Sequence, residues 1–109
     1  MALYGQMEKA TENRDAGAYS ELLHPDFEFV RHQSGTVMYR DQMVEMLKVM
    51  MANEKVVIND SRCIYENDEI LVEHSMMDFP DGTREAVMGV HTLKDGLIVR
   101  TETGATLIS

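Results

Sequence analysis

Leu3, Tyr4, Met7 and Ala10 recur at three-to-four spacing, so residues 2–13 read as an amphipathic helix. Asp15 is placed to cap a second, short helix over residues 16–23, with Tyr19, Leu22 and Leu23 on its buried side. His24-Pro25 ends it, because the residue before a proline is pushed out of the helical region. Phe27-Glu28-Phe29-Val30-Arg31 then alternates as a strand, Ser34-Gly35 turns the chain, and Val37-Met38 forms a short return strand. Asp41 is positioned to cap a third helix. On it Met43, Met46, Leu47 and Met50 fall at i, i+3, i+4 and i+7, a single apolar stripe.

From Lys55 onward the pattern is that of strands. Asn67-Asp68, Pro80-Asp81-Gly82 and Asp95-Gly96 carry turn chemistry and divide this half into strands at about 55–66, 69–79, 83–94 and 97–108. The expected fold class is α+β: three helices in the N-terminal half, with a small hairpin among them, packed on a mainly antiparallel sheet that ends in a four-strand meander.

Turn lengths predict register, and register predicts which side chains share a face. A two-residue Asp95-Gly96 turn sets His91 opposite Arg100 and Val90 opposite Thr101. A three-residue turn at 80–82 sets His74 near Met88 and Val72 near Val90, and a two-residue turn at Asn67-Asp68 sets Cys63 near Val72 and Ser61 near His74. One face then carries Tyr65, Ile70, Val99 and Ala86 with Cys63, Val72, Val90, Met76 and Met88, and with His74, Ser61 and Thr103 among them. The other carries Arg62, Glu73 and Glu102 as neighbours and His91 beside Arg100, with Ile64, Leu71 and Met77. The first face is the more apolar and is expected to meet the helices. The second is expected to face solvent or another subunit.

On that reading His74 is an ionisable group on an apolar inner face, where desolvation favours the neutral imidazole and suits it to act as general base. The alternative is a core histidine satisfied by Ser61, Thr103 or water. Arg31 shares parity with Phe27 and Phe29 and can reach a pocket mouth to hold a carboxylate bidentately. Tyr19 can project its hydroxyl into the same space, or simply pack. His32 falls on the opposite parity, His24 belongs to the surface, and Arg62, Glu73 and Glu102 suggest a cross-strand charge network. Met43, Met46 and Met50, with Met76 and Met88 facing them, are either solid core or the wall of a pocket. An exposed methionine docking surface conflicts with their place on the apolar stripe.

Composition narrows the classes of function. The 109 residues fit one domain. A formal charge of −9 disfavours nucleic acid, which demands a Lys/Arg surface, and anionic membranes alike. Cys63 is the single cysteine, so neither an internal disulfide nor a Cys/His zinc spacing is available, and no cofactor or metal is expected. The first nine residues lack the basic start and apolar centre of a signal peptide, and no apolar run suffices to span a bilayer. A cytoplasmic domain is expected.

Three stretches, "NRDAGAYSELLHPDFEFV", "MYRDQMVEML" and "NDEILVEHSMM…PDGTREAVMGVHTLKDGLIVRTE", resemble the SnoaL-like family within the nuclear transport factor 2-like superfamily. The resemblance implies a cone-shaped, cystatin-like roll whose helices close over a curved sheet and leave a deep, mostly apolar cavity. It also implies a homodimer through the outer sheet face. The family's strand order sets the first strand beside the last, bringing Phe29 and Arg31 near Thr101 and Thr103. Members include ketosteroid isomerases, polyketide cyclases, dehydratases, epoxide hydrolases and non-catalytic binders. The aspartates that catalytic members generally use are unmatched, since Arg31-His32 and Ala105-Thr106 occupy those regions, which leaves proton abstraction to His74.

Two functions remain open at this point. One is a cofactor-free isomerase, lyase or dehydratase acting on a small apolar molecule, with His74 as base and Arg31 or Tyr19 polarising an oxygen. The other is a ligand-binding or dimerisation module without chemistry. Phe27, Phe29, Met43, Met46, Met50, Ser61, Cys63, Val72, Met76, Met88, Val90, Thr101 and Thr103 are the residues expected to line the pocket.

Overall fold

A computed structural model describes residues 3–108. Helix α1 spans Leu3–Glu12 and buries Leu3, Met7 and Ala10, the i, i+4, i+7 face that the spacing predicts. Ala2, its expected first residue, lies outside the described residues. The Leu3 amide donates to Glu66 Oε2 at 2.8 Å, which ties the start of this helix to the sheet. Helix α2 covers only Ala16–Ser20, with the Asp15 carboxylate accepting from the Ala18 amide at 3.0 Å. It stops short of residue 23 because the sheet takes the next backbone groups: the Ile98 amide donates to the Leu22 carbonyl, and Leu23 pairs with Ile98.

Strand β1 runs Leu23–Arg31 and β2 Thr36–Tyr39, joined through Gly35 at φ +71°. Helix α3 follows at Arg40–Ala52. Its N-cap is Tyr39, whose amide donates to Gln42 Oε1 at 3.0 Å. Asp41, the expected cap, sits inside the first turn, where its charge opposes the positive end of the helix dipole. Strands β3 (Val57–Glu66), β4 (Ile70–Asp78), β5 (Arg84–Lys94) and β6 (Leu97–Leu107) complete the chain.

All six strands form one mixed sheet in the order β2-β1-β6-β5-β4-β3. Among the described residues only the β1–β6 pairing is parallel; it sets Phe29 beside Thr101 and Arg31 beside Thr103. The α+β class therefore stands, with the first hairpin between the second and third helices as the pattern predicts. The last four strands pair in succession and continue through β6 into β1 and β2, so the meander is part of one six-stranded mixed sheet.

Two register expectations change. Asp95 and Gly96 both adopt positive φ, 54° and 78°, as a two-residue hairpin turn demands. Lys94 pairs with Leu97 and Leu93 with Ile98, but Thr92 then pairs with Arg100, so Val99 is an inserted, bulged residue. This one extra residue brings His91 opposite Thr101, not Arg100. At the β3–β4 hairpin, Asn67 Oδ1 accepts from the amides of Glu69 and Ile70, both at 2.8 Å, and widens the turn. Glu66 then pairs with Leu71 and Tyr65 with Val72, and a bulge at Ile64 brings Cys63 opposite Glu73 rather than Val72 and Arg62, not Ser61, opposite His74. The β4–β5 register is as expected, with His74 beside Met88 and Val72 beside Val90.

The larger correction concerns which face is inside. The core joins Leu3 and Met7 of α1, Met43 and Leu47 of α3, and Leu23 and Phe27 of β1 to Leu71 and Ile98 of the sheet. Leu71 and Ile98 are fully enclosed, at 0% exposure. The helices thus cover the parity of Leu71, Glu73, Ser75 and Met77, not that of Val72, His74 and Met76. Met88 is 44% exposed on the opposite side, where Val90 also stands. Alternation within each strand is right, but grouping across strands is not: Ser61 and Thr103, expected beside His74, share the inner face with Glu73, and Glu102, expected beside Glu73, lies on the outer one.

Candidate functional site

Between the helices and the inner face of the sheet lies a cavity of about 840 Å³. Tyr4 and Met7 reach it from α1, Tyr19 from α2, and Met43, Met46 and Met50 from α3. Met38, Met51 and Met77 join them, so seven of the ten methionines line the cavity and the methionine stripe of α3 is a pocket wall as well as core. Met43 and Leu47 are the buried members, at 5% and 6% exposure, while Met46 and Met50 are half-buried around the opening.

His91 is the most enclosed ionisable group here, 3% exposed. Its Nε2 lies 2.6 Å from Glu73 Oε2 and its Nδ1 2.7 Å from Thr101 Oγ1. Strand register explains the constellation. Thr101 stands directly across from His91, whereas Glu73 stands across from Gly89, two residues along, so the carboxylate and imidazole meet diagonally above that glycine. A Cβ at Gly89 would touch both partners, at 3.4 Å from His91 Nε2 and 3.4 Å from Glu73 Cγ.

Tyr19 brings a hydroxyl to the same cavity, and it has no hydrogen-bond partner among the described residues. Its phenol is pushed well above the ordinary tyrosine value, first by burial and then by the negative charge of Glu73. Tyr4 is pushed up to about 12, again by burial first, with Glu8 adding to it through a 3.4 Å contact. Elsewhere in the cavity Arg31 Nη2 faces Glu85 Oε1 at 3.7 Å and donates to Gln33 Oε1 at 3.2 Å.

Of the residues anticipated from sequence, Tyr19, Arg31, Phe29, Ser61, Thr101 and Thr103 line this cavity, as do Met43, Met46 and Met50. Phe27 does not; it is consumed by the core at 1% exposure. His74, Val72, Met76, Met88 and Val90 lie on the other face, and the exposed Cys63 is outside the lining. His74 therefore cannot serve this cavity, because one residue of strand parity turns it away.

The residues that sequence reasoning passed over are Glu73, His91 and Glu85. Glu73 was expected to join Arg62 and Glu102 in a surface network, but that network does not form. Glu102 lies on the opposite face, accepting from His32 Nε2 at 3.1 Å with Arg100 Nε at 3.4 Å, and these partners, His32 first, hold its carboxyl below the usual range. The one available signal was Gly89, a residue without a side chain in a strand of large ones, at the position facing an acid.

Among the described residues, no group of three or more His, Cys, Asp and Glu side chains is arranged to hold a metal ion, and no helix is long and apolar enough to cross a membrane.

No curated protein matches this sequence. Solved structures do resemble its fold. A ketosteroid isomerase candidate from Kribbella flavida superposes with a TM-score of 0.81 over 98% of this chain and 77% of its own, at 13% identity. An NTF2-like protein of unknown function from Mesorhizobium loti gives 0.82 over 94% and 87%, also at 13% identity. A polyketide cyclase candidate, IdmH from Streptomyces antibioticus, gives 0.72 over 94% and 88%, at 15% identity. Such identities establish the shared NTF2-like architecture alone. A family model for the SnoaL-like domain matches residues 5–101, nearly the whole chain, and the protein belongs to the SnoaL-like domain family.

Proposed function

We propose that the cavity binds a small, largely apolar molecule bearing a carbonyl group, and that Glu73 moves a proton on it. The observation that carries this reading is the Glu73–His91–Thr101 chain, closed at 2.6 and 2.7 Å beside the unpartnered Tyr19 hydroxyl. His91 Nε2–H donates to the Glu73 carboxylate and the Thr101 hydroxyl donates to Nδ1, so both ring nitrogens of His91 are paired. The other oxygen of Glu73 accepts no hydrogen bond from the described residues and is available to a substrate C–H. Glu73 takes a proton from the carbon next to the carbonyl, and the Tyr19 O–H donates to the carbonyl oxygen as it gains enolate charge. Returning the proton to another carbon is isomerisation; expelling a β-substituent instead is elimination. The chemistry attributed by name to the Kribbella flavida relative is of the first kind.

The test uses 2-tetralone, a bicyclic ketone with exchangeable α-protons, in deuterated buffer followed by proton NMR. The wild type is expected to accelerate exchange, and Glu73→Gln to slow it by about 10²–10⁴-fold while still binding the ketone. Equal exchange in the two proteins would sink the reading.

A second, compatible reading concerns assembly. Val72, Met76 and Val90 are half-buried on the outer face, and Met88 and Tyr65 are exposed there at 44% and 56%. That apolar surface supports a homodimer formed through the outer sheet face. Light scattering should return twice the monomer mass at micromolar concentration, and Met88→Lys should shift it toward the monomer.

A further inference from the structure

Arg31 was expected to hold a ligand carboxylate, but a carboxylate of the protein already stands before it. Glu85 lines the cavity, is 9% exposed, and faces the Arg31 guanidinium at 3.7 Å. That distance makes an ion pair without a hydrogen bond, and Glu85 accepts no hydrogen bond from any described residue. Its oxygens border the cavity with unused acceptor capacity, which a donor on a ligand can take up.

We infer that Arg31 and Glu85 form a second subsite, which takes a neutral group able both to donate and to accept a hydrogen bond, such as a hydroxyl, at the far end of an elongate apolar ketone. A hydroxyl placed there donates to Glu85 and accepts from Arg31. A ligand carboxylate would meet the Glu85 charge, and a bare alkyl end would leave Glu85 as it is.

The two polar poles are well separated. Glu85 pairs with Met77 and Glu73 with Gly89, four residues along the strands, which is about 13 Å between their backbone positions. Val87 and Ser75 lie between them on the same face, and Met46 and Met50 stand across the cavity. The ligand class is therefore a ketone whose carbonyl sits at Tyr19 and Glu73 and whose hydroxyl lies on the order of 10 Å away. This rests on the proposed function for the position of the carbonyl.

Calorimetric titration with 12-hydroxydodecan-2-one, dodecan-2-one and 11-oxododecanoic acid tests the subsite by binding alone. The hydroxy ketone is expected to bind the wild type about tenfold more tightly than either of the others, as one charge-assisted hydrogen bond implies. Glu85→Val should erase that preference yet leave dodecan-2-one affinity within about twofold, which also shows that the variant has kept its cavity. Equal binding of hydroxy and plain ketones to the wild type, or tighter binding of the acid, overturns the inference. Deuterium exchange at the carbon beside the carbonyl of dodecan-2-one, measured in parallel, reports on Glu73 separately, so either idea can fail while the other survives. If none of the three compounds binds, both fall.

Discussion

The imidazole of His91 and the carboxylate of Glu73 meet at 2.6 Å across a diagonal of the sheet, over the one position between them that has no side chain, Gly89. A strand interior is a poor place for glycine, so its presence here has a local reason. Gly89→Ala would place a methyl in ordinary contact with both partners and should fold normally. Gly89→Val should displace the pair, reducing ketone α-proton exchange at least tenfold while far-UV circular dichroism stays unchanged. A Val variant with full exchange would show that the pair does not act as a unit.

Thr101 is 5% exposed and is the hydrogen-bond partner of His91 Nδ1. Thr101→Val keeps the shape but leaves a buried imidazole nitrogen unpaired, at a cost of about 1–3 kcal/mol. Thr101→Ser retains the hydroxyl and should recover most of that loss. Urea denaturation of the three proteins measures it.

Tyr19 sets a pH dependence with a definite sign. Its folded-state value lies above the unfolded one of about 10, because burial, and then the charge of Glu73, oppose the phenolate. Its contribution to stability is fully present below pH ~10 and is lost as the pH rises through the folded-state value. Tyr19→Phe removes the titrating group. Melting temperatures of the two proteins should be close at pH 7, and above pH ~10 the variant should be the more stable.

The methionine helix should divide into two behaviours. Met43→Ala and Leu47→Ala remove buried side chains and should each cost about 2–5 kcal/mol of stability. Met46→Ala and Met50→Ala open wall positions that are only half-buried, so their stability cost should be smaller and their main effect should fall on ketone affinity. Chemical denaturation and calorimetric binding of 2-tetralone separate the two classes.

Local pattern was enough to locate most elements and turns. The 3.6-residue spacing of Leu3, Met7 and Ala10, the stripe through Met43 and Leu47, and the Asp95-Gly96 and Asn67-Asp68 turns all act over a few residues, where propensity and side-chain chemistry decide. The resemblance to the SnoaL-like family supplied the β1–β6 adjacency that sets Phe29 beside Thr101 and Arg31 beside Thr103, a contact between chain positions too distant for any periodicity to report.

The candidate site was a different matter. Period-two alternation correctly grouped Glu73 with Leu71 and Met77, but it cannot say which group the helices will cover. Choosing the more apolar face placed His74 inside and His91 outside. The tertiary structure decides otherwise, because Leu71 and Ile98 anchor the core on the mixed face while the remainder of that face borders an open cavity. A wall beside a cavity keeps Glu73, Ser75, Glu85 and His91 without the desolvation cost of a packed interior, so the usual link between apolar and inward weakens there. The single inserted residue at Val99, invisible in composition or spacing, then moved Thr101 opposite His91. The sequence by itself determined the elements, their order and the alternation within each strand; only the tertiary structure, through the bulges that set register between strands and the packing of helices on one side of the sheet, decided which side chains meet and which histidine the cavity contains.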